Sequence, residues 1–112
     1  PKSDGWSLVG DWTVTPQFAA ADKPGAMIRY RFRARDLHLV LGTAGQPVRF
    51  RILLDGKAPG ADHGMDVDAN GYGVIRDHRL YQLVRQHDPN AERDFSIELM
   101  APGGQAFAFT FG

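Results

Sequence analysis

Residues 60–75, "GADHGMDVDANGYGVI", place several oxygen-bearing side chains at a spacing that could bind a metal ion. Asp66, Asp68 and Asn70 occupy positions one, three and five of a candidate calcium loop, and a glycine follows at position six, as in an EF-hand. Asp77 falls at the last position, where an EF-hand has a bidentate glutamate. One hypothesis is therefore a calcium site formed by Asp66, Asp68, Asn70 and Asp77.

The same residues also predict a polar turn, and the sequence favours this second interpretation. Asn70-Gly71 is a common hairpin-turn pair. Gly73 stands where an EF-hand loop usually has an apolar residue, and the flanking segments alternate as strands do, whereas an EF-hand loop is flanked by helices. We therefore predict that the domain needs no cofactor, with calcium as the alternative.

Asp62 and His63 are a second group that could do chemistry. A neighbouring carboxylate and imidazole can act as acid and base, but no nucleophile or phosphate-binding loop accompanies them, so we predict no catalytic residues. The histidines lie in separate segments without the paired spacing of a zinc site. Asp62 and His63 are instead predicted to bind a ligand, together with the aromatic rings of Tyr72 and Tyr81.

Six arginines alternate with apolar residues on two predicted strands. They are Arg29, Arg31, Arg33, Arg35, Arg49 and Arg51. If the two strands share a face and pair, a basic stripe results, in which Arg31 and Arg49 are candidate contacts for an anionic ligand. The alternatives are a solvated face paired with acidic neighbours such as Glu98, or a face covered by another domain. Because no aromatic residues alternate among the outward arginines, we predict no nucleic-acid partner.

Strands must position these groups, because apolar residues recur at every second position along most of the chain. The segments "AMIRYRFRARD" and "PVRFRILLDG" show this alternation, and turn residues interrupt it at roughly ten-residue intervals. "RLYQLVRQ" also fits a helical turn, but we prefer a strand there. The pattern predicts an all-β fold, a single antiparallel jelly-roll β-sandwich domain over residues 1–112 with about eight or nine strands.

The apolar parity of each strand predicts which side chains are buried. Trp12 is expected in the core, and Tyr72, beside the turn, is expected at the surface. The predicted buried set comprises Ile28, Tyr30, Phe32, Phe50, Ile52, Phe95, Ile97, Leu99, Phe107, Phe109 and Phe111.

The composition excludes several classes of function. Lys plus Arg and Asp plus Glu are equal at 13 each, so no net field attracts nucleic acid or an anionic membrane. The chain has no cysteine, which excludes thiol chemistry and thiolate-bound zinc. No apolar run approaches the roughly 18 residues of a membrane span, and the N-terminus lacks a signal-peptide pattern, so we predict no direct membrane insertion by this domain.

Several long segments resemble one protein family in order along the chain. They are "GDWTV", "YRFRARDLHLVLG", "PVRFRILLDGKAPGADHGMDVDANGYGVI", "RLYQLVRQ" and the terminal "AFAFTFG". These segments resemble the C-terminal domain of DipZ-type proteins, in which a thioredoxin-like domain, sometimes preceded by a CcdA-like membrane transporter of electrons, is followed by a β-sandwich similar to a carbohydrate-binding module.

The resemblance implies a non-catalytic accessory domain of a thiol-disulfide protein linked to cytochrome c biogenesis. It also implies a periplasmic or extracytoplasmic location and an upstream thioredoxin-like domain in cis. Two functions remain open. The domain could bind a carbohydrate-like or other extracellular ligand, or it could pack on the upstream domain through the arginine face or residues 55–64 and position client proteins. An independent enzyme is the least favoured alternative.

Overall fold

Ten short strands account for most of residues 6–112, the part of the chain that the computed structural model describes. They are β1 (Trp6–Val9), β2 (Trp12–Val14), β3 (Ala19–Ala21), β4 (Ala26–Arg33), β5 (Asp36–Thr43), β6 (Val48–Leu54), β7 (Tyr72–Ile75), β8 (Arg79–Arg85), β9 (Glu92–Leu99) and β10 (Gly104–Phe111). The helical structure in this range is a 3-10 turn at Gly60–Asp62. None of the described residues therefore belongs to a helix long and apolar enough to cross a membrane.

The strands form two five-stranded antiparallel sheets that pack as a sandwich. The order is β1-β4-β9-β6-β7 in the first sheet and β2-β3-β10-β5-β8 in the second. Because successive strands often belong to opposite sheets, the chain repeatedly crosses the sandwich, as in a jelly roll. The predicted fold class is confirmed. The structure has ten strands where about eight or nine were predicted. The sequence does not reveal β3 and β7, because they are too short, and too rich in alanine or glycine, to show an alternating pattern.

The segment "RLYQLVRQ" is a strand, as preferred, and a β-bulge explains its ambiguous pattern. Leu37 on β5 lies opposite Val84, whereas His38 lies opposite Gln82, so Leu83 is an extra residue on β8. Leu83 and Val84 are both buried as a result. Two consecutive buried residues break the period of two and imitate one turn of a helix.

The core lies between the two sheets and contains most of the predicted buried residues. Seven predictions are confirmed by side chains with less than 5% exposure: Ile28, Phe32, Phe50, Ile52, Phe95, Ile97 and Leu99. Trp12 and Tyr30 are half-buried and pack against this core from its edge. The alternation in β4, β6 and β9 therefore identified the buried face of the first sheet correctly.

The prediction is wrong for part of β10, because a second β-bulge lies between Ala106 and Ala108. Before the bulge Ala106 faces the core, and after it Phe109 does, so the inward parity changes within the strand. Phe107 is half-buried on the outer face instead of being buried in the core, and Phe109 is half-buried at the edge of the core. Phe111, at the end of the strand, is 45% exposed.

Candidate ligand-binding site

Asp68 closes a turn over residues 68–71, but the predicted hairpin at Asn70-Gly71 is wrong, because no strand leads into this turn and the next strand, β7, begins at Tyr72. The Oδ1 atom of Asp68 accepts hydrogen bonds from the backbone N–H groups of Asn70 at 2.9 Å and Tyr72 at 3.0 Å. The N–H of Gly71 donates to the carbonyl oxygen of Asp68, and Gly71 has a φ of 92°, which favours glycine. The Asp68 carboxylate is therefore used to order the backbone.

The Asp66 carboxylate binds a different set of partners. It accepts hydrogen bonds from Arg79 Nη2 at 2.9 Å and from the backbone N–H of Gln82 at 2.7 Å. The backbone N–H of Asp77 contacts the hydroxyl of Tyr81. Among residues 6–112, no three carboxylate or imidazole side chains are close enough to hold a metal ion. The four residues of the calcium hypothesis thus do not form a cluster.

Millimolar calcium is expected to leave the melting temperature of the domain unchanged, because a ligand that does not bind the native state cannot stabilise it by mass action. Thermal unfolding in calcium and in a chelator measures the difference. Binding at ~100 times the dissociation constant would add about 2.7 kcal/mol and raise the melting temperature by several degrees. A rise of that size in the unmodified domain, absent in Asp68→Ala, would contradict this prediction and support the calcium hypothesis.

The Asp66 ion pair makes stability depend on pH. Burial raises the pKa of Asp66, but the hydrogen bonds from Arg79 and Gln82 hold this pKa below its ordinary value. A carboxyl whose pKa is lower in the folded state stabilises the protein above its unfolded pKa of about 3.9, and this contribution is lost as the pH falls through the folded pKa.

Asp66→Asn is therefore expected to destabilise the domain at pH 7 by more than it does near pH 2. Urea unfolding of both proteins at the two pH values measures the difference. Asp11→Asn is the control, because the ion pair of Asp11 with Lys23 is exposed to solvent. Equal losses for Asp66→Asn at both pH values would contradict the assignment.

The predicted ligand-binding residues Asp62, His63 and Tyr81 have structural partners. Asp62 Oδ1 lies 2.7 Å from Nδ1 of His87, and Asp62 Oδ2 accepts a hydrogen bond from Arg93. Burial raises the pKa of Asp62, but the bonds from His87 and Arg93 lower it below its ordinary value. His63 Nδ1 is 2.8 Å from the carbonyl oxygen of the next residue.

The prediction that Tyr81 offers its ring to a ligand is wrong, because Tyr81 is 1% exposed. Its hydroxyl donates to the carbonyl oxygen of Asp77 and accepts from the backbone N–H of Arg76. The guanidinium carbon of Arg79 lies 3.8 Å from the ring centre. Tyr81 thus ties the β7–β8 connection to the core and offers no ring to a ligand.

The two arginine strands share the outer face of the first sheet, which meets one condition for a basic stripe, but they do not pair, so the other condition fails. Strand β9 lies between β4 and β6 and supplies carboxylates. Arg31 bonds to Glu92 at 2.8 Å and to Asp94 at 2.7 Å, and Arg33 bonds to Glu92 at 3.2 Å. These carboxylates, and not Glu98, pair with Arg31 and Arg33, whereas Arg29 lies opposite Ser96 and has no ion pair among residues 6–112.

Tyr72 and Arg49 are the predicted ligand-binding residues that the structure brings together. The guanidinium carbons of Arg49 and Arg51 lie 4.8 and 4.9 Å from the centre of the Tyr72 ring. Tyr72 is half-buried beneath them, so it is less exposed than predicted. Arg31 lies on the same face, but two strands away and within its own ion pairs.

The outer face of the second sheet carries a row of polar side chains that reasoning from the sequence missed. Thr110 on β10 lies opposite His38 on β5, which lies opposite Gln82 on β8. Within the described part of the chain, these three side chains form no hydrogen bond with another protein group. We call them the polar row. Their hydrogen-bonding capacity is available to a ligand.

An aromatic strip crosses the same face beside the polar row. The ring of Phe107 stacks on His78 at 4.2 Å and lies 5.2 Å from Phe18, with distances measured between ring centres. Gly42 forms the floor beneath, because a Cβ there would lie 3.3 Å from the Phe107 ring and 3.4 Å from Gln105. The bulge in β10 moves Phe107 out of the core, and this displacement creates the strip.

An apolar row separates the aromatic strip from the polar row. It consists of Ala108, Val40 and Leu80, which lie opposite one another on β10, β5 and β8. Leu80 is 39% exposed. The face therefore combines apolar surface with polar side chains that form no hydrogen bond within residues 6–112, the usual composition of a small-molecule site. The outward positions of His38 in "LHLVLG" and Gln82 in "RLYQLV" are the sequence signal that could have identified it.

An apolar groove of about 280 Å³ lies at the seam between the two sheets. Trp6 and Leu8 on β1 and Val14 on β2 form part of its wall, and Phe18 and Phe107 extend it towards the aromatic strip. Trp6 is 41% exposed and Val14 is 68% exposed. The groove is thus open at the surface, and the core residue Ala106 forms part of its lining.

Similar solved structures are carbohydrate esterases of low sequence identity. A family two carbohydrate esterase from Clostridium thermocellum, in complex with cellohexaose, matches with a TM-score of 0.75 and 15% identity over 96% of this chain and 31% of its own. A family two esterase from Cellvibrio japonicus matches with a TM-score of 0.69 and 11% identity, over 96% and 30% of the two chains.

The acetyl xylan esterase Est2A from Butyrivibrio proteoclasticus matches with a TM-score of 0.56 and 10% identity, over 100% of this chain and 32% of that one. The domain thus spans about a third of the length of these esterases, and the likeness shows a shared fold. A search of curated proteins finds no match. The family model described as the thioredoxin like C-terminal domain matches residues 1–112, so the chain belongs to the thioredoxin like C-terminal domain family.

Proposed function

We propose that this domain is a non-catalytic accessory module that binds a neutral carbohydrate-like ligand on the outer face of the second sheet. The observation that carries the proposal is the polar row of Thr110, His38 and Gln82, whose side chains are unbonded and lie beside exposed apolar surface. The parent protein would be an extracytoplasmic thioredoxin-like thiol-disulfide protein of the DipZ type.

The chemistry of a sugar suits this face. A pyranose ring has hydroxyl groups around its rim and apolar C–H groups on its faces, so it needs hydrogen-bonding side chains next to aromatic or aliphatic surface. The polar row supplies donors and acceptors from three adjacent strands. The apolar row and the ring of Phe107 supply the surface on which a ring face would lie.

A non-catalytic role is supported by the side chains that the chain provides. It has no cysteine, so thiol-disulfide exchange would have to occur on another domain. Neither of the serines that the structure describes, Ser7 and Ser96, hydrogen-bonds to a histidine, so neither has the base that a nucleophilic serine requires.

A glycan array followed by calorimetry tests this proposal, with cellohexaose as the first probe because the Clostridium thermocellum esterase was determined with it. His38→Ala and Gln82→Ala should each weaken binding about tenfold, the effect of losing one hydrogen bond of about 1.4 kcal/mol. Gln46→Ala is the matched control, because Gln46 is exposed in the β5–β6 turn. Undiminished binding by the double variant, or no binding to any neutral glycan, would contradict the proposal.

A second function, docking on an upstream thioredoxin-like domain in cis, is supported by the apolar groove. Trp6 and Leu8 of β1, the first strand, lie in the groove wall, so a domain on the N-terminal side of β1 would be covalently tethered to this side of the sandwich. Covalent tethering gives a high effective concentration and favours contact.

Val14→Asp tests the docking function, because Val14 is more exposed than Trp6 and Leu8 in the groove wall. In the two-domain protein the substitution should separate the domains, which small-angle scattering would detect as a larger radius of gyration. The isolated domain should keep its melting temperature, since Val14 is 68% exposed. An unchanged radius in the two-domain variant would contradict docking at the groove.

A further inference from the structure

A basic site lies on the side of the sandwich opposite the polar row. It consists of Arg49 and Arg51 on β6 and Tyr72 on the edge strand β7, and we call it the arginine site. Arg49 and Arg51 are two positions apart, so their side chains project from the same face of the first sheet. Both guanidinium carbons lie close to the Tyr72 ring centre, at 4.8 and 4.9 Å.

The arginine site is held in place before any ligand binds. Arg51 Nε donates a hydrogen bond to the carbonyl oxygen of Asn70 at 3.0 Å. This bond and the contact with Tyr72 restrict the guanidinium group and leave its two terminal nitrogens free. A planar group restricted in this way loses little conformational freedom when it binds a carboxylate.

The positive charge of this site is not neutralised by the described residues. Arg31 and Arg33 on the same sheet contact Glu92 and Asp94, whereas no carboxylate among residues 6–112 lies within ion-pair distance of Arg49 or Arg51. Two guanidinium groups beside one ring repel each other, and an anion placed between them would remove that repulsion. Glu98 on β9 lies opposite Arg51 but makes no ion pair with it, so Arg49 and Arg51 are cationic groups without a carboxylate contact in residues 6–112.

We propose that the arginine site binds a carboxylate group of an acidic oligosaccharide, such as a chain of uronic acid residues. The choice of a saccharide as the carrier of the carboxylate rests on the proposed function. The choice of an acidic one rests on the free guanidinium groups of Arg49 and Arg51, which match a carboxylate in a two-point geometry. The domain would then hold neutral and acidic parts of a glycan on opposite faces.

A discrete carboxylate suits this site better than an extended anionic surface does. Glu92 and Asp94 are exposed on the same face, on the strand next to β6, and they would oppose a flat anionic membrane. The whole chain carries no formal net charge, so long-range attraction is weak. A flexible chain can approach from the β7 side and place one acidic group between Arg49 and Arg51, away from Glu98, which lies opposite Arg51 on β9.

Calorimetry with a hexauronate measures the affinity of the domain for this ligand, with cellohexaose, inorganic sulfate and vesicles containing anionic lipid as separate arms. Arg49→Gln/Arg51→Gln should weaken hexauronate binding at least tenfold and leave cellohexaose binding unchanged. Arg33→Gln is the matched control, because Arg33 is exposed on the same sheet but paired with Glu92. It should change the hexauronate affinity less than twofold.

Several outcomes would overturn the inference. They are an unchanged affinity in the double variant, an equal loss in Arg33→Gln, or vesicle or sulfate binding that matches or exceeds hexauronate binding. A second variant, Tyr72→Leu, removes the ring that holds both guanidinium groups and should also weaken hexauronate binding. His38→Ala/Gln82→Ala should leave hexauronate binding at the arginine site intact. Loss of binding at the polar row, the site of the proposed function, is thereby distinguished from loss of binding at the arginine site.

Discussion

Replacing Phe50 by alanine is expected to lower the free energy of unfolding by about 3–5 kcal/mol, a large share of the roughly 5–15 kcal/mol typical of a domain. Phe50 is fully buried, and its ring meets the Tyr81 ring edge-on with centres 6.4 Å apart. It also packs so closely on β7 that a Cβ at Gly73 would lie 2.5 Å from its Cζ atom. The cavity left by the ring cannot close without moving both sheets.

Urea unfolding of Phe50→Ala and Phe111→Ala provides a matched comparison, because both changes remove the same atoms. Phe111 is 45% exposed at the end of β10, so its loss should cost about 1 kcal/mol. Equal losses for the two variants would show that the sandwich does not bury Phe50 as described.

Gly71→Ala is expected to be the second large effect, with a loss of about 3 kcal/mol or more. Gly71 has a φ of 92°, which alone costs an alanine about 1–2 kcal/mol. In addition, a Cβ would collide with the carbonyl oxygen of Ile52, which is backbone and cannot rotate away. The Gly71 carbonyl also accepts a hydrogen bond from the Ile52 N–H at 2.8 Å, so moving the turn disturbs β6.

Alanine substitutions at two other glycines measure separately the conformational cost and the steric clash that add up in Gly71→Ala. Gly56 has a φ of 78°, but a Cβ there would have no neighbour within 4 Å, so Gly56→Ala should cost only the conformational term of about 1–2 kcal/mol. Gly45 also has open space and lacks a positive φ, and Gly45→Ala should be neutral or slightly stabilising. Denaturant midpoints for the three variants should follow the order Gly71, Gly56, Gly45 from largest loss to smallest. Any other order would contradict the packing of Gly71 on β6.

The turn at Gly71 connects the polar row with the arginine site. On one side, Asp66 pairs with Gln82 and brings residues 64–66 alongside β8, next to the polar row. On the other side, Asn70 holds Arg51 and the next strand begins with Tyr72. The aspartates of residues 60–75 therefore order a connection between two faces of the sandwich.

The fold class and the inward face of the first sheet could be predicted from the sequence. Period-two alternation in β4, β6 and β9 is a local property, since successive side chains on a strand point to opposite sides whatever the strand pairs with. Phe50 and Ile97 could be assigned to the core on this ground alone. The Asn70-Gly71 turn was also predictable, because turn chemistry depends on a few adjacent residues.

The positions of the functional candidates depend on the tertiary structure. Strand order is a non-local property, so the sequence could not reveal that β9 separates Arg31 from Arg49, or that Thr110, His38 and Gln82 come from three strands to form one row. The bulge in β10 gives the inward positions to Ala106 and Phe109 and leaves Phe107 on the outer face, because one extra residue changes the inward parity within the strand. Sites on a sheet are assembled by pairing and register, which alternation along a single strand does not encode.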